Sequence, residues 1–137
     1  MASRFTCKMT NSTESLVACF EQMENSGAYA GLPDSAKYAV TLALDELVSN
    51  VIKYGGSDPV ELEFTLDSDS DSLHIVLRDD APAFDPLAVP QPDETTDVDA
   101  MEIGGRGIFM VKNSVDEFVY LREDGRNVVE LRLRFQP

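Results

Sequence analysis

The chain has 137 residues, 43% hydrophobic and 26% charged, with a formal net charge of -14. That is enough for one domain with its own core, without disulfides or a structural metal, and it excludes wholesale disorder. The charge argues against nucleic acid and against an anionic membrane, both of which would repel it, and favours a partner with a basic surface.

Residues 3–9, SRFTCKM, alternate with Phe5, Cys7 and Met9 on one side and predict a first strand. Asn11 and Glu14 have the spacing of a capping box before an amphipathic run. A helix is expected from about Ser12 to Asn25, ended by Gly27. Pro33 suits the first turn of a second helix, Asp34 and Ser35 suit its positive end, and Gly55-Gly56 stop it. Cys7 and Cys19 stand in no disulfide or metal pattern and read as reduced, small hydrophobes.

Val60, Leu62, Phe64 and Leu66 alternate with polar residues as a half-buried strand. The run DSDSDS turns the chain into LHIVLR, the next strand. Residues 79–103 hold Pro82, Pro86, Pro90 and Pro92 and many acids, and read as one long loop of the kind that is usually functional. Gly104-Gly105-Arg106-Gly107 opens a short helix, IFMVKNSV. EFVYLR and NVVELRLRF close the chain as a hairpin through Asp124-Gly125. Hairpins with helices gathered on one face predict a two-layer α/β (α+β) sandwich, with a mixed, mostly antiparallel sheet. The expected organisation is one domain over residues 1–137. The N-terminus lacks an apolar signal core and no run approaches the length of a membrane span, so the expected location is the cytoplasm.

Three clusters carry chemistry. Glu46 and Asn50 stand about 40° apart around a helix and about 6 Å apart along it. An Asn oxygen suits a hard cation such as Mg²⁺, a carboxylate one turn away can take a proton, and Lys53 one turn further can reach a phosphate. Alone, the pair is also what a solvated helix face would show. In LRDDAPAFDP, residues 77–86, Asp79 ends a strand where a carboxylate can accept from an exocyclic amine; an acidic turn would look the same. Glycines in GGRG let backbone N–H groups approach phosphate at a helix N-terminus, although glycines also simply cap helices.

Together, E-x-x-x-N on a helix, D-x-A-P-x-F-D-P after a strand, a long loop and then G-G-x-G before a helix resemble the GHKL ATPase family, the Bergerat fold. The segment Asp116…Tyr120…Gly125…Asn127 resembles its small stand-alone branch of anti-sigma factors that are serine/threonine protein kinases. The resemblance implies ATP and Mg²⁺ as ligands, with Asn50 holding the metal and Glu46 as general base or orienter of the nucleophile. Asp79 would read the adenine amine, with Ala81 and Phe84 beside it. Lys53, Gly104, Gly105 and Gly107 would serve the phosphates, Arg106 would neutralise charge on the transferred group, and residues 87–103 would form an ATP lid. The implied partners are a sigma factor and an anti-sigma antagonist, the protein substrate of partner switching, with a homodimer through Phe5 and Phe20 in view.

Ala81 and Ala83 stand where the family usually has glycine, a small cost if the backbone φ is negative. No Lys or Arg lies between Asp79 and Gly105, and the lid carries Asp93, Glu94, Asp97, Asp99 and Glu102. A catalytically weak or inactive binding module of the same fold is therefore the alternative. A third reading, a detached histidine-kinase catalytic domain, would transfer to a histidine of another protein. The one histidine, His74, sits in a strand, which rules out a histidine kinase complete in this chain.

Overall fold

Strand alternation fixes which face of the sheet is covered. In β1 (Ser3–Thr10), Phe5, Cys7 and Met9 are buried while Arg4, Thr6 and Lys8 face solvent. The same period of two recurs in β2 (Glu61–Ser68) through Leu62, Phe64 and Leu66, and in β3 (Ser72–Asp79) through Leu73, Ile75 and Leu77. These come from a computed structural model that describes residues 2–56, 58–88 and 103–136, with side chains in the last segment described from Gly107 onward.

The remaining strands, β4 (Glu117–Glu123) and β5 (Arg126–Arg134), form the expected hairpin. Asp124 and Gly125 both take positive φ, 53° and 76°, as a two-residue type I′ turn requires. The five strands run β1-β2-β3-β5-β4, so the last strand inserts beside β3 rather than at an edge. Each neighbouring pair is antiparallel, so the expected mixture of directions resolves into a purely antiparallel sheet.

Four helices cover the apolar face: α1 (Thr13–Glu24), the single turn α2 (Gly27–Ala30), α3 (Asp34–Tyr54) and α4 (Ile103–Ser114). α3 lies over the middle of the sheet and α4 packs along α3. Phe64, Leu44, Val48, Ile75, Ile108 and Leu131 from these layers are fully buried. The two-layer α/β sandwich is as the sequence led us to expect.

Several local expectations are corrected. Ser12, not Asn11, caps α1: its Oγ accepts from the Ser15 N–H at 3.1 Å. Asn11 instead bridges to the start of β2, accepting from the Val60 N–H at 3.0 Å and donating to the Asp58 carbonyl at 3.2 Å. Gly27 does not simply end a helix; it opens α2 behind the cap Ser26. Pro33 is the N-cap of α3, one position earlier than expected. The long loop contains a 3₁₀ turn at Pro86–Ala88, while residues 89–102 of the lid lie outside the described residues.

The other sheet face is wet and charged. Ion pairs join Arg4 to Asp67, Arg78 to Glu63 and Arg132 to Glu117, and His74 meets Glu130 at 3.0 Å. His74 thus has the surface role its strand position implied. Both cysteines are buried and unbridged; burial first, then the neighbouring Cys7 thiol, push the Cys19 thiol well above its usual range. Phe5 belongs to the core and Phe20 packs partly buried against it, so the fold already uses the two side chains considered for a dimer contact. Among the described residues no helix is long and apolar enough to cross a membrane.

Candidate functional site

α3 carries Glu46 and Asn50 one turn apart, and β3 ends on Asp79. Asn50 and Asp79 are each only 5% exposed. They line the same small cavity, closed by Leu47, Val51, Phe84 and Asn127. It holds about 20 Å³ of space, roughly one water molecule. Larger hollows of about 450 and 470 Å³ lie at the far end and on the outer face of the sheet, lined by none of the expected site residues. The small cavity is where desolvated polar groups converge, and desolvation is what gives such groups their leverage.

Asn50 Nδ2 is buried and has no hydrogen-bond partner among the described residues. A buried amide left this way costs about 1–3 kcal/mol, a cost that persists only where something outside the chain satisfies it or function requires it. Turning the amide by 180° puts Oδ1 in the same place without changing its shape, so the orphan position is equally an acceptor for a cation. Among the described residues no cluster of three or more His, Cys, Asp or Glu side chains can hold a metal by itself. A cation here would need Asn50 together with oxygens of a ligand, the way Mg²⁺ is usually held.

Asp79 uses one oxygen within the protein. Oδ1 accepts from the Ala81 N–H at 3.0 Å and from Asn127 Nδ2 at 2.9 Å. Oδ2 accepts nothing from the described residues. Burial raises the carboxyl above its usual pKa, while the Asn127 and Ala81 bonds pull it back. The free oxygen is suited to an N–H donor entering the cavity.

Asn127 was visible in the sequence only as part of a terminal pattern, without a role. It stands opposite Asp79 in the β3–β5 register and ties down the start of the loop at residues 82 and 84. Nδ2 also donates to the Pro82 carbonyl at 3.0 Å, and Oδ1 accepts from the Phe84 N–H at 3.2 Å and from the Tyr120 hydroxyl at 2.6 Å. Arg122 Nη1 adds a bond to the Ala81 carbonyl at 2.8 Å. The ring of Phe84 stacks on Tyr54 at the end of α3, centroids 5.1 Å apart. Lys53 sits exposed at this mouth, its Nζ 5.0 Å from the Tyr54 ring centre. The available signal for Asn127 was parity. The Asp124-Gly125 turn makes 127, 129, 131 and 133 the inward row, and Asn127 is its one polar member.

Ala81 is buried, and Asp124 is the only non-glycine with positive φ among the described residues. The methyl group at 81 therefore imposes no backbone strain. GGRG is corrected: α4 begins at Ile103, so the motif lies inside the first turns of the helix rather than before it. The amides of Gly104 and Gly105 fall among the first N–H groups, which a helix leaves unpaired. The Arg106 side chain lies outside the described residues. Gly107 meets Glu46: a Cβ at 107 would fall on the Glu46 carboxylate. Burial, and then the charge of Asp45, raise the pKa of Glu46.

A family model for the histidine kinase-like ATPase domain matches residues 9–133, spanning α3, Asp79, the lid segment, α4 and Asn127. The chain belongs to the histidine kinase-like ATPase domain family. This histidine kinase-like ATPase domain is also similar to the serine/threonine-protein kinase BtrW of Bordetella bronchiseptica, 23% identical over 103 residues that cover 74% of this chain and 72% of that protein. Membership implies ATP binding, and Asn50 Nδ2 and Asp79 Oδ2, in one cavity and without a partner among the described residues, fit such a ligand with its cation.

Proposed function

We propose that this histidine kinase-like ATPase domain is a Mg-ATP-dependent serine/threonine protein kinase that acts as an anti-sigma factor. Its substrate is an anti-sigma antagonist, and phosphorylation of that antagonist regulates transcription by partner switching. The observation that carries the nucleotide part is the shared cavity of Asn50 and Asp79, each with a polar atom that no described residue matches. The Bordetella relative, named a serine/threonine-protein kinase, supports the choice of reaction.

In this reading Asp79 Oδ2 accepts the adenine amine, and Phe84 with Ala81 flanks the base. Asn50 holds Mg²⁺, which when bound neutralises phosphate charge. The unpaired amides of Gly104 and Gly105 receive phosphate oxygens at the positive end of α4, with Arg106 and Lys53 adding charge at the phosphates. Glu46 takes the proton of the Ser or Thr hydroxyl as its oxygen bonds to the γ-phosphorus; the bond from phosphorus to the β–γ bridging oxygen breaks and ADP leaves. Positioning and electrostatics dominate such a transfer, which suits a site with so few reactive groups.

The test has two arms. Mg-ATP at 100 times its Kd stabilises the fold by about 2.7 kcal/mol, read as a raised melting midpoint that Asp79→Asn abolishes. Labelled ATP then transfers acid-stable phosphate to a candidate antagonist, and Glu46→Ala stops the transfer. An unmoved midpoint at millimolar Mg-ATP discards nucleotide binding; binding without transfer leaves the second reading.

That second reading is a binding module of the same fold with weak or absent catalysis. The cavity of about 20 Å³ favours it, because ligand sites are usually about 300–1,000 Å³ and this one must open to admit a base.

A further inference from the structure

Gly107 lies within α4, where glycine is the least favourable residue after proline. Three ordinary reasons for a glycine can be checked against its surroundings. Positive φ is one, but the glycines with positive φ among the described residues are Gly56 and Gly125. A bare amide for an anion is another. With α4 starting at Ile103, the N–H of Gly107 is past the unpaired first turn and points to the carbonyl four residues back. Close approach is the third, and here the geometry is unambiguous: a Cβ at 107 would collide with the Oε2 and Cδ atoms of Glu46.

Glu46 has a matching need. Its half-buried carboxylate accepts no hydrogen bond from the described residues, so no donor fixes its direction. What bounds it is the packing of α3 against α4, and the missing side chain at 107 is the slot it occupies.

We propose that Gly107 is a positioning residue for Glu46, the slot in α4 that keeps the carboxylate where the reacting hydroxyl arrives, rather than a phosphate-binding residue. This rests on the function proposed above, in which Glu46 takes the proton. A methyl group at 107 displaces the carboxylate and leaves the adenine and phosphate contacts in place, so transfer falls while nucleotide affinity holds.

The experiment uses the full chain with Mg-ATP as the probe. Nucleotide affinity is measured by titration, and ADP formation is followed at saturating Mg-ATP with the candidate antagonist present as acceptor. Gly107→Ala is expected to keep the affinity within about 3-fold and to lose about 10-fold or more in turnover, the direction given by Glu46→Gln. A stability cycle runs beside it, independent of activity. Gly107→Ala raises the melting midpoint in a Glu46→Ala background, where the methyl group meets open space and the helix gains from losing a glycine, and raises it by less, or lowers it, in the native background, where the methyl group must displace the carboxylate.

Weakened ATP affinity with unchanged turnover would overturn the proposal and return Gly107 to the phosphates. The same midpoint change in both backgrounds would overturn it too, because the obstruction would then not be Glu46. A variant too unstable to assay is still decided by the double variant: recovery of folding in Glu46→Ala supports the slot, and failure to recover refutes it. A native chain that binds no ATP, or binds it without turnover, defeats the kinase reading first and this proposal with it. A native chain that binds and turns over while Gly107→Ala matches it in both measures defeats the positioning role alone.

Discussion

Asp79 and Asn127 face each other across β3 and β5, joined by one hydrogen bond of 2.9 Å between two side chains that are almost wholly buried. The bond leaves a single oxygen of Asp79 for a ligand and fixes where it points. Asn127→Leu removes the donor and frees the Phe84 N–H, the Tyr120 hydroxyl and the Pro82 carbonyl. The expected result is a loss of about 1–3 kcal/mol in stability and about 10-fold in ATP affinity. Denaturant midpoints and ATP titration check it; unchanged affinity at reduced stability would make Asn127 a purely structural clasp.

Glu46 should leave a signature in the pH dependence of folding. Burial, then Asp45, raise its carboxyl above 4.5. A raised acid keeps its proton in the native state after the unfolded chain has lost it. Its stabilising contribution is therefore complete below 4.5 and is lost as pH rises through the raised native value. Glu46→Gln lacks that loss, so the variant gains on the native chain as pH rises from 4.5 through the raised native value. Urea midpoints across that range should diverge upward for the variant. Parallel curves would mean the carboxylate is hydrated after all.

Ala81 replaces a family glycine without needing one. Its φ is not positive and its amide already serves Asp79 at 3.0 Å. Ala81→Gly is expected to cost about 0.5–1 kcal/mol through the freer unfolded chain. ATP affinity should change less than about 2-fold, well under 1 kcal/mol on the usual scale. A clear gain in ATP affinity would show that the methyl group obstructs the base.

The β4–β5 turn offers a check on local geometry. Gly125 holds φ at 76°, where a Cβ is strained although nothing nearby would touch it. Gly125→Ala should lower stability by about 1 kcal/mol from backbone conformation alone. Calorimetry would detect it, and an unaltered midpoint would show that the turn adapts.

Much of this arrangement could be read from residue order. Period-two runs marked the strands, Pro33 and Gly55-Gly56 marked the ends of α3, and Asp124-Gly125 marked the hairpin. The pairing of Asn50 with Asp79 in one cavity was implied by motif order. Other features depend on contacts distant along the chain. Asn11 has the spacing of a cap, but its amide bridges to residues 58 and 60, which left Ser12 to cap α1. Gly104 and Gly105 read as punctuation, yet packing against α3 carries α4 back through them to Ile103. α2 is a single turn held by Ser26, too short for any periodicity to reveal.

The insertion of β5 between β3 and β4 has a consequence for synthesis. Asp79 and its partner are 48 positions apart, and β5 is made after the other four strands of the sheet. Until then the growing chain exposes β3 as a raw border, and the half-made pocket has no wall on that side. An unpaired edge of this kind is open to pairing with other chains until β5 closes it.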